Sequence, residues 1–322
     1  MNRKADAIIV GAGVIGSAVA FELAKRGYKT LNIDKLPTSG YGSTSNSCAI
    51  VRAHYSTWDG VAMAYEGFHY WDNWADYLGV DDERGLIKYM KTGSIMFKLQ
   101  GEDHSKKCLS FFEEIGVEHE IWDLDKLKEK MPIYSHDQYD GTTRPDEDDN
   151  FFDKTGKKIE GAVYTPGSGY VSDPQLSSHN LQVATEAKGG EFLFNSEITE
   201  IRQENGIVLG VTLSSGEQID SPVVVNVAGP HSFVINRMAG VEEEMNIKTN
   251  ALRHEVHHVP SPDGFNFEEK GCHTSDGDNF IYFRPETGNT ILIGSEDPKC
   301  DPLEWVADPD DYNNQITESQ WK

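Results

Sequence analysis

The sequence predicts a mixed α/β fold in two structural units, on three observations. Near the start, a short apolar run, a glycine-spaced turn and a helical pattern follow one another as in a parallel β-α-β unit. Two later stretches, 191–213 and 279–294, read as pairs of strands about turn residues, the mark of antiparallel hairpins. The length of 322 residues is more than one hydrophobic core ordinarily serves.

Residues 5–35 organise the rest. The run Ala7–Val10 is too brief for a helix and suits a buried strand. Gly11, Gly13 and Gly16 follow in G-x-G-x-x-G spacing. Residues 14–26, beginning Val14-Ile15, carry apolar side chains at helical intervals and stop at Lys25-Arg26-Gly27. A second strand, 30–33, ends at Asp34-Lys35. The types fit the pattern physically. Gly11 permits a tight turn, Gly13 lets a pyrophosphate approach the backbone, and Gly16 lets the helix pack close to the strands. The helix N-terminus offers free N–H groups to phosphate. Asp34 accepts hydrogen bonds from a ribose and disfavours a 2′-phosphate, which argues against NADP but does not separate NAD from FAD.

Residues 36–47 form a polar loop containing Gly42, Ser43, Thr44 and Ser47, suited either to wrapping a cofactor or to a plain surface loop. An apolar run at 48–54 carries Arg52 and His54. Residues 60–78 read as a helix whose Val61, Tyr65, Phe68, Trp71 and Leu78 form a core face.

The fingerprint with Asp34-Lys35, followed by GSTSNSCAIVRAHY at 42–55, resembles the FAD-dependent D-amino acid oxidase superfamily, in its sarcosine oxidase, dimethylglycine dehydrogenase and glycine oxidase branch. The resemblance implies a Rossmann-like FAD/NAD(P)-binding domain interleaved with a substrate domain built on an antiparallel sheet. It implies that the Gly-Ser segment (Gly42, Ser43, Thr44, Ser47) lies along the flavin and that Arg52 meets a substrate carboxylate. Relatives with flavin tethered through this loop carry a histidine where this chain has Asn46, so no covalent link is expected from this segment.

Further along, 93–99 reads as a strand, and 106–116 and 124–131 as helices, the last stopped by Pro132. The acidic stretch 139–158 lacks the spacing and central glycine of a calcium loop and reads as an exposed insertion. In 161–190 the motif GYVSDP resembles the family turn that returns the chain to the flavin domain, and a helix follows. Strands are expected at 191–201, at 206–213 after the Asn205-Gly206 turn, and at 221–227, ending in Ala228-Gly229. By resemblance, Ala228 and Gly229 touch the FAD and Ile198 contributes a contact to its adenine.

Residues 251–259 contain a literal H-E-x-x-H in His254, Glu255 and His258. On a helix that pattern binds zinc. Strand patterning fits it at least as well, and there the two histidines would stand roughly 13 Å apart at ~3.3 Å per residue, too far for one metal, so no metal is expected. In the hairpin 279–294 the alternate residues Tyr282 and Arg284 share a face. The family aims a side chain from this hairpin at the substrate; the competing assignment is a structural tyrosine and a surface arginine. His54 is a further candidate, although a lone histidine near a strand end is commonly structural.

Composition excludes several partners. With 29 Lys+Arg against 53 Asp+Glu the formal charge is −24, so this acidic protein suits neither nucleic acid nor anionic membranes. The four cysteines are scattered without C-x-x-C, which indicates neither zinc knuckle nor disulfide framework and favours a reducing, cytoplasmic location. Residues 7–21 are uncharged like a signal core, but their fingerprint glycines identify them with the cofactor unit.

The expected division is an FAD-binding domain from 1–84 and 156–235 and a substrate domain from 85–155 and 236–322. The expected function is FAD-dependent oxidation of an amine or N-methyl amino acid such as sarcosine, dimethylglycine or glycine, with oxygen or an electron-transfer protein as acceptor. Two alternatives stand beside it: a nicotinamide-dependent dehydrogenase, and a non-catalytic flavin-binding subunit or fragment. The last arises because the family's closing strand, Gly-rich loop and helix have no counterpart after Gly294. That implies a fragment, a partner subunit filling the gap, or an open flavin site, with marginal stability or self-association.

Overall fold

Four parallel strands at the chain's start and middle form the sheet that positions the glycine fingerprint. In the computed structural model, which describes residues 3–321 apart from Thr142, their order is Glu191–Leu193, Thr30–Ile33, Ala7–Val10, Val224–Asn226. Ala7–Val10 and Thr30–Ile33 are buried throughout, which is why they read as continuous apolar runs without alternation. Helix Val14–Lys25 buries Gly16, Ser17, Ala20, Phe21 and Ala24, mostly small residues. It packs on helix Pro174–Glu186. That second helix starts at Asp173, whose carboxylate accepts the Leu176 N–H at 2.9 Å, with proline in the first turn.

A second sheet, Arg3–Lys4, Gln218–Asp220, Ile207–Leu213 and Ile198–Glu204, covers the first with Ile198, Ile201, Val211, Leu213 and Ile219 against Ile8, Val10, Leu31 and Ile33. The Asn205-Gly206 turn joins its last two strands in antiparallel register.

The other unit is a seven-stranded sheet ordered Val256–Pro260, Thr290–Ser295, Ile281–Glu286, His273–Asp276, Ser94–Leu99, Ile159–Thr165, Glu120–Trp122. It is antiparallel except where His273–Asp276 meets Ser94–Leu99. Strand alternation sends Ile95, Phe97 and Leu99 into one core cluster and Met96 into another beneath helices Trp58–Asp72 and His104–Ile115. Three short strands, Ile50–Val51, Gly169–Val171 and Tyr89–Met90, form a small sheet in which the chain passes between the units.

Several expectations change. The strand expected at 191–201 is two strands in different sheets, broken where Asn195 takes φ of 51°. Helix 60–78 divides into Trp58–Asp72 and Trp74–Leu78, because Asn73 leaves helical geometry and caps both. Strand Ile159–Thr165 pairs with Ser94–Leu99 within the seven-stranded sheet. The stretch 139–158 is only partly exposed: Arg144 is buried and binds the Asp301 carboxylate at 2.7 Å and the Ser319 carbonyl at 2.6 Å, tying the loop to the C-terminal stretch.

Of the H-E-x-x-H residues only His258 lies in a strand, and none lies on a helix. His258 sits in strand Val256–Pro260 and bonds Thr290, His254 pairs with Asp297 at 3.6 Å, and Glu255 turns inward to Arg253. Among the described residues no group of three or more His, Cys, Asp or Glu side chains is placed to hold a metal. No helix among them is long and apolar enough to cross a membrane.

Candidate active site

The fingerprint turn opens a cleft of about 360 Å³ between the two N-terminal sheets. Its floor is Gly11, Gly13, Val14 and Ile15; its walls carry Asp34, Lys35, Gly42, Ser43, Thr44, Ile198, Ala228 and Gly229. Gly11 has φ of +108°, and a Cβ there would stand 2.6 Å from the Val227 carbonyl. At Gly16 the Cβ would stand 2.0 Å from the Gly11 carbonyl, so only glycine lets helix and turn meet. The helix start has no side-chain cap; the Val14 N–H donates to the Thr44 hydroxyl at 3.1 Å. Asp34 accepts the Ala12 N–H at 2.7 Å and the Leu36 N–H at 2.9 Å, which leaves lone pairs facing the cleft.

Val14 and Thr44 also line a second cavity of about 350 Å³, which runs past Ser47, Ala49 and Ile50 to Arg52. Ser47, Ala49, Ile50, Arg52 and Tyr55 in turn line a third, of about 620 Å³, closed on its far side by the seven-stranded sheet. Shared wall residues thus set the three cavities in series from the Asp34 end of the first cleft to Arg52.

The third cavity is polar. Arg52 bonds the His54 carbonyl and lies over the Tyr55 ring, 4.4 Å from its centroid. Among the described residues it has no carboxylate within ion-pair distance. His54 is 3 % exposed and stacks on His273 with ring centroids 5.6 Å apart. Burial, then the nearby positive Arg52, holds both imidazoles below the usual histidine range, His273 down to about 3, so both are neutral at physiological pH. The sheet contributes Ser275, Tyr282 and, just past its strand, Glu296. Tyr282 lies across Gly294, where a Cβ would stand 2.3 Å from its ring, and its hydroxyl contacts the Cys48 thiol at 3.6 Å. Burial raises both of those groups, so tyrosine and cysteine stay protonated.

The family model for FAD-dependent oxidoreductases, abbreviated DAO, matches residues 6–320. The chain belongs to this DAO family. It is 26% identical over 310 residues to glycine oxidase of Geobacillus kaustophilus, spanning 92% of this chain and 71% of that protein. It is 24% identical over 297 residues to monomeric sarcosine oxidase of a Bacillus species, spanning 91% and 66%. The fold matches L-proline dehydrogenase of P. horikoshii with a TM-score of 0.76 at 19% identity, over 100% of this chain and 75% of that one.

FAD, the cofactor of the DAO family, fits the residues present. The uncapped helix start beside Gly13 offers N–H groups to a diphosphate, and a Cβ on Gly13 would come within 3.1 Å of the Thr44 hydroxyl, so that gap exists only with glycine there. Asp34 suits a ribose diol, and the series of cavities toward Arg52 suits an extended dinucleotide.

Most residues singled out from sequence come together in these cavities. Gly11, Gly13, Val14, Ile15, Asp34, Lys35, Gly42, Ser43, Thr44, Ile198, Ala228 and Gly229 border the first cleft, while Gly16 packs beneath it and Ser47 belongs to the next two cavities. Arg52, His54 and Tyr282 line the third. Arg284 lies on neither the surface nor the cavity wall. It is 3 % exposed, donates to the Cys48 carbonyl at 2.6 Å, lies over Tyr170 and pairs with Glu286 at 3.0 Å, bracing the loop beneath the cavity. Sequence reasoning missed Cys48, His273, Ser275 and Glu296. It also missed Asp310, whose carboxylate joins Lys35 and His231 at the mouth of the first cleft. A signal existed for one group: His273, Thr274 and Ser275 are polar residues in a buried central strand, and a strand interior spends polar residues where a site needs them.

Proposed function

We propose that the chain oxidises the carbon–nitrogen bond of a small amino acid or N-methyl amino acid, with sarcosine, dimethylglycine and glycine as the candidates, and that Arg52 holds the substrate carboxylate. The observation that carries this reading is an arginine without a carboxylate partner among the described residues, lining a cavity that shares wall residues with the neighbour of the dinucleotide cleft. Bound FAD supplies the acceptor for the hydride equivalent. The chain's own residues do the rest. A guanidinium pairs with a carboxylate through two parallel hydrogen bonds and so fixes direction as well as position. The neutral His54–His273 stack adds no competing charge beside it. The protonated Tyr282 hydroxyl offers one donor from the opposite wall. The division into a cofactor unit and a substrate unit follows the same reading, with the chemistry at their junction.

Glycine oxidase and monomeric sarcosine oxidase, by their names, act on substrates of this size and charge, which supports the choice. The test is Arg52→Gln. For sarcosine, kcat/KM is expected to fall by about 100-fold, roughly 3 kcal/mol for a charge-assisted pair. For N-methylpropylamine, which has no carboxylate, it should change less than threefold. Equal losses for both compounds would remove Arg52 from carboxylate recognition.

A further inference from the structure

The third cavity holds a carboxylate that the reading above does not use. Glu296 follows strand Thr290–Ser295, and its backbone N–H is fixed to the Phe280 carbonyl at 2.6 Å. Its side chain accepts the Ser275 hydroxyl at 2.6 Å and has no cation within ion-pair distance among the described residues. It shares the cavity wall with Arg52. The cavity therefore presents one arginine and one carboxylate that do not neutralise each other directly. A zwitterionic amino acid complements that arrangement: with its carboxylate on Arg52, its ammonium is left for Glu296.

The chemistry makes this pairing more than recognition. An ammonium has no lone pair on nitrogen, so it cannot assist loss of hydride from the adjacent carbon; the amine must first be neutral. Resting on the amine-oxidation reading, we propose that Glu296 is the group that receives the proton of the substrate ammonium. The N–H bond breaks, a Glu296 Oε–H bond forms, and the electron pair stays on nitrogen. The proton passes to water when product leaves.

The surroundings suit the task. Burial pushes the Glu296 carboxyl above the usual carboxylate range, with Asp276 adding to the rise; Ser275, Arg52 and His104 hold it partly down. Tyr282 also faces it and stays protonated, while His254 is engaged by Asp297. A carboxylate raised in this way is a better proton acceptor than one on the surface.

The variant E296Q keeps the size of the side chain and an acceptor for Ser275. In the FAD-loaded protein, wild-type kcat/KM for sarcosine is expected to be level from about pH 7 to 9. In E296Q the reaction must draw on amine that is already neutral in solution, a minor fraction for a group with a pKa near ~10. The loss is then at least about 100-fold at pH 7 and shrinks about tenfold per pH unit toward pH 9. A residue of structural importance alone would lower the profile evenly, and that result overturns the proposal.

A second readout needs no turnover. Infrared difference spectra with labelled glutamate should show a protonated carboxyl appear when sarcosine binds anaerobically. It should be absent in E296Q and absent when methoxyacetate, which has no amine, is bound. Sarcosine that binds without being oxidised but still produces the band would defeat the oxidation reading and leave Glu296 as proton acceptor. Binding without the band defeats the proposal itself.

Discussion

Gly16 shows how narrowly single residues set this site. The backbone carbonyl of Gly11 lies where a Gly16 Cβ would go, at 2.0 Å, and backbone cannot swing aside as a side-chain tip can. Gly16→Ala is expected to lower stability by roughly 2–4 kcal/mol, as overpacking against rigid backbone does, and to abolish FAD retention on gel filtration. An alanine variant that melts with wild type and keeps FAD would show the turn to be more yielding than its geometry implies. The fingerprint was legible in the sequence because it carries its chemistry in residue type and local spacing, whereas Arg52 was singled out through the resemblance of the segment around it to the family. Glu296, Ser275 and Cys48 were not, since their roles depend on strands brought together across more than two hundred residues of chain. Arg284 illustrates the same limit: strand alternation placed it beside Tyr282, but only the packing of Tyr170 and the Cys48 carbonyl decides that it braces the wall instead of lining the cavity.

Among the elements, the stretch beyond Ser295 is the least regular and the most revealing. Strand Trp305–Val306 pairs with Ala251–Leu252, and Arg253 gathers the chain that follows through the Asn313 and Gln315 carbonyls and the carboxylates of Glu255 and Glu304. Glu255 in turn accepts both the N–H and the hydroxyl of Thr317. This clamp carries Asp308 and Asp310 to the mouth of the cofactor cleft. Arg253→Ala removes the guanidinium that holds Glu255 and the chain beyond it, a loss on the order of 1–3 kcal/mol. Proteolysis should then cut between 304 and 317 well before the sheets, whereas cleavage at the wild-type rate would mean that the clamp does not hold the segment. The sequence showed strand patterning over 251–259 but not this break. Residues 253–255 fall between the strands Ala251–Leu252 and Val256–Pro260, where Arg253 and Glu255 bond the distant Glu304 and Thr317. The two hairpins, by contrast, were readable because Asn205-Gly206 and the turn before Thr290 act locally.

Over the whole molecule, acid sensitivity should trace to the neutral histidine pair. Unfolded, His54 and His273 take up protons below about pH 6.5; folded, they resist protonation, His273 down to about 3. Between these limits the unfolded state binds more protons, so folding stability falls as pH falls, by up to about 1.4 kcal/mol per pH unit for each histidine. Urea unfolding between pH 7.5 and 5 should show that decline beginning near 6.5, above the range in which surface carboxylates titrate; a flat profile would mean that the pair is protonated or exposed in solution.

Membership of the DAO family displaces the nicotinamide-dependent alternative raised by the sequence. The most direct measurement is the visible absorption of the purified chain loaded with FAD, before and after anaerobic sarcosine, dimethylglycine or glycine. The account predicts a bound-flavin spectrum that bleaches with at least one of these amino acids and bleaches far more slowly in Arg52→Gln. A bound flavin whose spectrum none of the three alters would contradict it.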